Sequence, residues 1–471
     1  MPALKKHILL NAFNMNSVGH INHGLWTHPR DNSSDYNTLE YWTDLAKTLE
    51  RGLFDGLFIA DIIGVYDVYQ NSIDTTLRES VQLPLNDPAV LVSAMAAVTQ
   101  HLGFGITANL SFEPPYLFAR RMSTLDHLTR GRVGWNIVTG YLDSGSKAAG
   151  LHGLAPHDER YDRADDYLEL LYKLWEGSWE NDAVLRDRQA RVFSDPAKVH
   201  KIIHQGPYYQ MEGYHLSEPS LQRTPVLYQA GSSPRGQQFA ARHAEAVFIS
   251  AQDKGEAKRA VDSLRRQAVE AGRKADDIKI FAGIAMITGA NHQEAQDKYD
   301  DYRRYASPEA GLAHFSSSVG IDFDRFELDE PIHYDNSNAI QSAASSAQAN
   351  AMTKRKLLER FKLGSRYPTL VGDPSYIADE LESWITDVGI DGFNVSRTVT
   401  PESFEDIADL IVPELQNRGV YKTSYQEGSL RHKLFGAGDK LPSYHAGAQY
   451  RRLNSHLKTQ LVSEVTITEG H

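Results

Sequence analysis

Short apolar runs alternate with amphipathic stretches along most of the chain, which is the pattern of strands that alternate with helices. Eight runs are predicted to be strands, and they lie at 9–13, 56–61, 103–110, 132–139, 224–231, 246–250, 278–288 and 392–398. Nearly continuous apolar strands that alternate with helices indicate a parallel sheet covered on both faces. Eight such strands predict an α/β fold of the (β/α)8 TIM-barrel type rather than an open doubly wound sheet.

Two long interruptions and a C-terminal arm depart from this pattern. The segments at about 180–223 and 306–370 have no clear periodicity, and the second contains a low-complexity run at 336–350. Long segments of this kind are either functional covers or disordered, so we expect the second to be a mobile lid over the barrel mouth. We therefore predict one domain over residues 1–419. The polar, Tyr- and Arg-rich residues 420–471 are expected to form an arm at a subunit interface.

Composition narrows the chemistry and the location of the protein. The 471 residues contain no cysteine, which excludes disulfides, cysteine-bound zinc, iron–sulfur clusters and thiol nucleophiles. The formal net charge of −12 argues against a nucleic-acid partner, because phosphate backbones need basic surfaces. We see no long apolar signal region and no run long enough to span a bilayer. We expect a cytoplasmic protein with neither a nucleic-acid nor a membrane partner.

The turn after the fifth predicted strand is the most informative single motif. A short apolar run leads into Gly231-Ser-Ser-Pro-Arg-Gly236, and a helical pattern follows at once. The first N–H groups of a helix have no intrahelical partner, and the helix dipole puts partial positive charge there, so this turn can hold a phosphate. Ser232 and Ser233 would supply hydroxyl groups, and Arg235 would add a full charge. An ordinary serine-capped connection would give the same sequence, so the turn alone leaves both interpretations open.

The predicted strand ends carry many hydrogen-bonding groups and few charges. In a TIM barrel the active site lies at the C-terminal ends of the strands, so these groups should converge there. We find no carboxylate pair suited to glycoside hydrolysis and no nucleophile elbow. His200 and His204 are four residues apart but lie in the first interruption, so we predict no metal site. A mouth rich in Asn, Thr, Ser and Tyr beside a phosphate site suits a planar phosphorylated cofactor, and flavin mononucleotide (FMN) matches that description.

Three further motifs carry a resemblance to a known family. They are Asn11-Ala-Phe-Asn-Met-Asn-Ser-Val-Gly-His20, Met122-Ser-Thr-Leu-Asp-His-Leu-Thr-Arg-Gly-Arg-Val-Gly-Trp-Asn-Ile-Val-Thr139 and His157-Asp-Glu-Arg-Tyr-Asp-Arg-Ala-Asp165. Together they resemble the luciferase-like flavin-dependent monooxygenases. The matching group contains the nitrilotriacetate, dibenzothiophene-sulfone, dimethyl sulfide and long-chain alkane enzymes. The resemblance covers nearly the whole chain, and the combination of these motifs is specific to that group of enzymes.

The resemblance implies a two-component reaction. A separate NAD(P)H:flavin reductase would supply reduced FMN (FMNH2), which would bind in the barrel and react with O2 to form a C4a-(hydro)peroxyflavin. One oxygen atom would enter a small, largely apolar or organosulfur substrate, and the other would leave as water. A lid fits this chemistry, because open access to water favours loss of hydrogen peroxide. The resemblance and the C-terminal arm together predict a homodimer or a homotetramer.

Matching positions give the expected site residues. The cofactor-binding residues beside the flavin ring are expected to be Asp61, Thr107 and Asn136. Those around the phosphate are expected to be His157, Tyr161, Ser232 and Ser233. The catalytic candidates are His20, Tyr66, Gln82 and His314. Because histidine titrates near working pH, His20 is expected to protonate or stabilise the peroxide.

Two positions depart from the alkane enzymes. Ser17 stands where they have cysteine, and Tyr141 stands where they have histidine, so an alkane substrate does not follow. Three alternatives also stay open. A deazaflavin coenzyme would serve hydride transfer in the same barrel, a non-catalytic protein would bind flavin without turnover, or a bound flavin would itself be degraded by oxidation. Neither the substrate nor the identity of the reductase follows from the sequence.

Overall fold

The fold is a closed parallel barrel, and its computed structural model describes residues 7–332, 352–363 and 366–451. The barrel strands are β1 (Leu9–Met15), β2 (Gly56–Ala60), β3 (Gly103–Asn109), β4 (Val133–Val138), β9 (Val226–Gln229), β10 (Ala246–Ile249), β11 (Lys279–Thr288) and β13 (Gly392–Ser396). Each pairs in parallel with the next in this order, and β13 pairs back with β1. The predicted (β/α)8 TIM barrel is therefore confirmed.

Seven helices cover the outside of the barrel: α1 (Leu39–Arg51), α3 (Pro88–Ala97), α4 (Pro115–Leu128), α6 (His157–Tyr172), α7 (Pro234–His243), α8 (Lys254–Glu270) and α9 (His292–Arg303). Three more, α2 (Asp74–Arg78), α5 (Asp143–Ala148) and α10 (Pro308–Val319), lie in the connections that follow β2, β4 and β11, and α10 packs against α2. Later helices span Lys354–Arg360, Pro374–Ser383, Glu402–Asp406, Val412–Asn417 and Leu430–Phe435. Within the described part of the chain, no helix has both the length and the apolar character that a membrane span needs.

Alternation along each strand divides the core into two layers. In β2, Leu57 and Ile59 belong to the cluster between strands and helices, whereas Phe58 belongs to the cluster inside the barrel. Phe58 lies there against Phe248, with ring centroids 4.2 Å apart, and Tyr228 completes the group. Because successive side chains of a strand point to opposite faces, apolar residues at adjacent positions fill both layers.

The C-terminal arm closes the N-terminal end of its own barrel. Leu430 and Leu434 pack in the interior cluster, and a Cβ atom at Gly103, the first residue of β3, would lie 2.5 Å from Leu430 Cδ1. Arg431 is buried beside them and forms an ion pair with the equally buried Glu245, with Nε and Oε1 2.6 Å apart. Residues 420–451 therefore form part of the barrel core, and the predicted subunit interface stays a prediction.

The two interruptions contain more regular structure than their sequences suggested. The first holds two antiparallel hairpins, formed by β5 (Val184–Asp187) with β6 (Val192–Ser194) and by β7 (Ile202–Gln205) with β8 (Gln210–Gly213). The second holds α10, the helix Lys354–Arg360 and β12 (Thr369–Gly372), which pairs with the end of β11. The low-complexity run at 336–350 lies outside the described residues, and the lid expected over 306–370 stays a prediction.

One helix begins earlier than its apolar pattern indicates. The periodic residues predicted a start at Arg163, but α6 begins at His157 and continues through a π-helical turn, Lys173–Gly177. Its first turn carries Asp158 and Glu159, which suit the positive end of the helix dipole but give no apolar signal. The earlier start places His157 and Tyr161 on one rigid element.

Candidate functional site

The ends of β3 and β4 bring two of the predicted ring-binding residues together. The strand register places Thr107 opposite Asn136, and Asn136 Nδ2 donates a hydrogen bond to Thr107 Oγ1 at 3.0 Å. Both residues are buried. Among the described residues, Oδ1 of Asn136 has no hydrogen-bond partner. Because buried polar atoms are normally paired, this oxygen is an acceptor for a ligand that donates a hydrogen bond.

The turn before α7 forms a second polar group. Ser233 is the N-cap of α7, and its Oγ accepts a hydrogen bond from the Gly236 backbone N–H at 3.1 Å. Tyr161 reaches into the same turn from α6. A Cβ atom at Gly231 would lie 2.7 Å from Tyr161 Oη, and one at Gly236 would lie 2.8 Å from it. Only glycine allows this close approach, so the tyrosine hydroxyl and the helix N-terminus converge.

His157 and Ser232 complete this group, whereas Arg235 does not add the free charge that the sequence suggested. The His157 ring packs against that of Tyr161 with centroids 5.3 Å apart, and Ser232 is exposed in the turn. Arg235 Nη2 donates to Asp162 Oδ1 at 2.9 Å and to Asp165 Oδ2 at 2.5 Å. Two carboxylates therefore offset its charge, and the helix N-terminus carries most of the positive character of the turn.

Asp61 follows β2 directly, at the same end of the barrel. Burial raises the pKa of its carboxyl group to about 8, and the negative charges of Asp87 and Glu113 act in the same direction. A hydrogen bond with the backbone of Ile62 partly opposes the rise. In the absence of ligand the carboxyl group is therefore protonated at neutral pH and can donate a hydrogen bond as well as accept one.

Tyr66, Gln82 and Tyr141 form a directed hydrogen-bond chain. Tyr66 Oη donates to Gln82 Oε1 at 2.7 Å and lies 3.0 Å from Tyr141 Oη. A tyrosine hydroxyl has one proton, so Tyr141 must be the donor in the second bond. Burial raises the pKa of Tyr66 well above its usual value, which keeps its proton in place. Tyr141, one of the two departures from the alkane enzymes, is thus part of the site.

Three buried histidines lie together on the other side of Tyr66. His23 Nε2 is 3.1 Å from His314 Nδ1, and the Tyr66 and His314 ring centroids are 4.8 Å apart. His20 packs edge-on against Phe13, with centroids 4.5 Å apart. The structure therefore unites Tyr66, Gln82 and His314, and it places His20 in the same buried region.

The charge state expected for His20 is wrong. Burial lowers its pKa well below the usual value, and the charges of Arg397, His23 and Arg366 lower it further. His20 is therefore a neutral imidazole at neutral pH rather than an acid that titrates there. Ser17, the other departure from the alkane enzymes, donates its hydroxyl hydrogen bond to the Gly19 carbonyl oxygen at 2.8 Å.

Sequence reasoning missed His23, Arg366 and Arg397. Arg366 Nη2 lies 3.1 Å from His314 Nε2, and Arg397 Nη2 donates to the Ser17 carbonyl oxygen at 3.2 Å. His23 follows His20 by three residues and could have been noticed, but the two arginines lie far along the chain from their partners. Among the residues that the structure describes, no cluster of three or more potential metal ligands is present.

Known proteins resemble this chain over nearly its whole length. The luciferase-like monooxygenase family model matches residues 21–392. The chain is 50% identical over 453 residues to a dimethyl-sulfide monooxygenase of Hyphomicrobium sulfonivorans. The aligned region covers 95% of this chain and 94% of the relative. It is 32% identical over 427 residues to component A of a nitrilotriacetate monooxygenase of Aminobacter aminovorans, with 88% and 94% covered.

Solved structures give the same result. A long-chain alkane monooxygenase is 48% identical and superposes with a TM-score of 0.89, covering 95% of this chain and 100% of that one. A riboflavin lyase, solved with modified FMN and riboflavin, is 36% identical with a TM-score of 0.91 and the same coverage. The barrel, the site and these similarities lead to one conclusion: the chain belongs to the luciferase-like monooxygenase family and is a flavin-dependent monooxygenase.

Proposed function

We propose that this chain is the oxygenase of a two-component system. It would take reduced FMN from a separate NAD(P)H:flavin reductase and add one atom of O2 to a small, largely apolar or organosulfur substrate. The observation that carries the proposal is the convergence, at one end of the barrel, of the buried Asn136 acceptor with the turn before α7. Similarity to a protein described as component A of a monooxygenase supports the separate reductase.

The residues present fit a phosphorylated flavin. The turn formed by Ser232, Ser233 and the α7 N-terminus would hold the phosphate, and Tyr161 would donate to it. Asn136 Oδ1 offers an acceptor to an N–H group of the ring edge, since it has no partner within the described residues. The protonated Asp61 carboxyl group can donate to a ring oxygen or nitrogen without adding charge.

The remaining residues orient groups and control protons. When bound, reduced flavin supplies the two electrons that activate O2. Tyr66 donates its hydroxyl hydrogen bond to Gln82, and Tyr141 donates its own to Tyr66, so the Tyr141 oxygen keeps a lone pair that could accept a hydrogen bond from a substrate. His314 packs its ring on Tyr66 and, like His20, is buried and neutral. These neutral rings offer no charged partner to the part of a substrate that touches them, which favours an uncharged substrate.

A second candidate function is oxidative cleavage of flavin itself. It is favoured by the 36% identity and TM-score of 0.91 to the riboflavin lyase. In that case a second flavin would occupy the substrate position. The two functions differ in a simple product: the oxygenase returns oxidised FMN intact, whereas a lyase destroys the ring system or releases its side chain.

Anaerobic titration with reduced FMN is the experiment that tests the proposal. We expect saturable binding of reduced FMN, tighter than that of reduced riboflavin, because only FMN has a phosphate. The loaded protein should then consume one equivalent of O2, sustained O2 consumption should require an added flavin reductase with NAD(P)H, and mass spectrometry should recover FMN unchanged. Failure to bind reduced FMN would overturn the proposal, and loss of flavin mass would favour the lyase function. Light scattering on the same sample would test the expected homodimer or homotetramer.

A further inference from the structure

Arg366 is half-buried at the end of a line that runs through two buried histidines, His314 and His23, and the proposed function gives neither Arg366 nor His23 a role. Its Nη2 is 3.1 Å from His314 Nε2, and His314 Nδ1 is 3.1 Å from His23 Nε2. Arg366 also donates to Ser318 Oγ at 2.5 Å, and Gln252 Nε2 donates to its carbonyl oxygen at 2.6 Å. These bonds fix the guanidinium at the edge of the His314 ring.

We propose that Arg366 is a positioning residue that holds His314 and His23 as neutral imidazoles, each with its proton on Nδ1. The deduction needs only donor and acceptor rules. A guanidinium can donate but cannot accept, so His314 Nε2 must be the acceptor and carries no proton. A neutral His314 then has its proton on Nδ1 and donates to His23 Nε2, which leaves the His23 proton on Nδ1.

Burial and the charges of neighbouring groups also favour the neutral forms of His314 and His23. Burial lowers the pKa of His314, and the charges of Arg366, His23 and His20 lower it further. For His23, burial, Arg366 and Arg397 lower the pKa to about 3. The titratable and charged groups around the pair are His20 after β1, Asp61 and Tyr66 after β2, Tyr141 after β4, Arg366 before β12 and Arg397 after β13. Asp61 is itself protonated at neutral pH, so this group of described residues holds no carboxylate that would stabilise an imidazolium.

The consequence rests on the proposed function. Without oxygenation of a substrate, anionic reduced flavin (FMNH−), O2 and one proton give FMN and H2O2. An imidazolium beside the reacting oxygen would supply that proton. By keeping His314 neutral, Arg366 would slow this wasteful reaction. The Nδ1 atoms of His23 and His20 are both buried and have no partner among the described residues. With its proton on Nδ1, His23 is then a hydrogen-bond donor for substrate or oxygen.

The test begins with the full-length, flavin-free chain labelled with ¹⁵N-histidine, and NMR reads the ring nitrogens between about pH 5 and pH 8. The His314 signals are identified by their loss in His314→Gln. In the unsubstituted chain we expect His314 to stay neutral with its proton on Nδ1 throughout. A proton on Nε2, or a doubly protonated ring in this range, overturns the proposal without any variant.

Substitutions then separate positioning from simple structural support. Arg366→Met removes the donor, and we expect His314 to gain a visible titration, whereas Arg366→Lys keeps a donor and should preserve the neutral form. Arg355→Met is the matched control, because it also replaces a guanidinium with a methionine side chain, but Arg355 pairs with Asp329 rather than with His314. An unchanged His314 spectrum in a folded Arg366→Met protein overturns the proposal.

The second readout is H2O2 released from reduced FMN and O2 without substrate, near pH 6. A one-unit rise in histidine pKa multiplies the imidazolium fraction about tenfold, so Arg366→Met should release H2O2 up to ~10-fold faster, and Arg355→Met should not. The two readouts also separate the hypotheses. If the His314 spectra are as predicted but the protein binds no reduced flavin, the positioning role of Arg366 is supported and the proposed function is contradicted.

Discussion

Asn136 and Thr107 face each other across two neighbouring barrel strands, and their hydrogen bond of 3.0 Å uses the nitrogen of the asparagine amide rather than its oxygen. This arrangement orients the amide, so that Oδ1 is the atom left for a ligand. A buried acceptor without a partner costs about 1–3 kcal/mol, which a bound donor would recover. The pair therefore links the fold of the barrel to cofactor binding.

Asn136→Ala should weaken reduced-FMN binding about tenfold, because one hydrogen bond of about 1.4 kcal/mol is lost. The measurement is the Kd from anaerobic titration. Thr99→Val is a matched control: Thr99 is also buried, but its hydroxyl donates to the Met95 carbonyl oxygen at 2.8 Å, away from the barrel mouth. It should lower stability and leave the Kd unchanged. Equal affinities for Asn136→Ala and the unsubstituted protein would contradict the assignment of Asn136.

Gly236→Ala should discriminate between flavins with and without a phosphate. The new Cβ would lie 2.8 Å from Tyr161 Oη and 2.9 Å from Ser233 Oγ, so the turn must open. We expect the Kd for FMN to rise ~10-fold or more, since charge-assisted hydrogen bonds to the phosphate are lost, and the Kd for riboflavin to change much less. Gly255→Ala in the first turn of α8 is the control, because nothing comes within 3 Å of its Cβ position. Equal losses for the two flavins would place the phosphate elsewhere.

Asp61 should make the stability of the flavin-free protein depend on pH. The folded pKa of about 8 lies above the ordinary value of 3.8, so the folded state holds a proton that the unfolded state has lost between those values. The contribution of Asp61 to stability is therefore full below 3.8 and falls as pH rises to about 8. The free energy of unfolding of the native protein minus that of Asp61→Asn, measured in urea, should fall across this range. A difference independent of pH would show that Asp61 ionises normally.

The buried ion pair of Arg431 and Glu245 should hold the C-terminal arm on the barrel. Arg431→Met leaves Glu245 as an unpaired buried carboxylate, and such losses cost about 3–5 kcal/mol. The double variant with Glu245→Gln removes both charges and should recover part of that stability, as urea unfolding would reveal. Arg355→Met, in an exposed ion pair with Asp329, is the control and should cost far less stability than Arg431→Met, because solvent screens exposed pairs. A double variant no more stable than Arg431→Met alone would contradict the pairing.

The barrel was predictable from the sequence because it depends on local patterns. Eight apolar runs predict the eight barrel strands that the structure contains. The hairpins of the first interruption were missed because their strands are three or four residues long and largely exposed, which leaves little periodicity to detect. The pairing of β12 with the end of β11 was missed because β12 is only four residues long.

The parts of the site formed by residues close together in the sequence were predictable, whereas the parts that depend on contacts between distant residues were not. Ser233 and Gly236 share one turn, so their chemistry could be inferred from the sequence alone. Arg366 meets His314 across 52 residues, and its effect on that ring follows only from the folded geometry. The same limit explains the error on His20, whose charge state is set by burial and by Arg397 rather than by its own neighbours in the chain.

Labelling with ¹⁸O2 tests the central claim most directly. The full-length protein, FMN, NADH and an unrelated flavin reductase would be incubated with dimethyl sulfide or a long-chain alkane, and the products analysed by mass spectrometry. A reduced-FMN-dependent monooxygenase should place one ¹⁸O atom in the product of an accepted substrate, only when reductase is present, and return FMN intact. Incorporation without the reductase, or ¹⁸O found only in H2O2 or in a degraded flavin across both substrate classes, would contradict it.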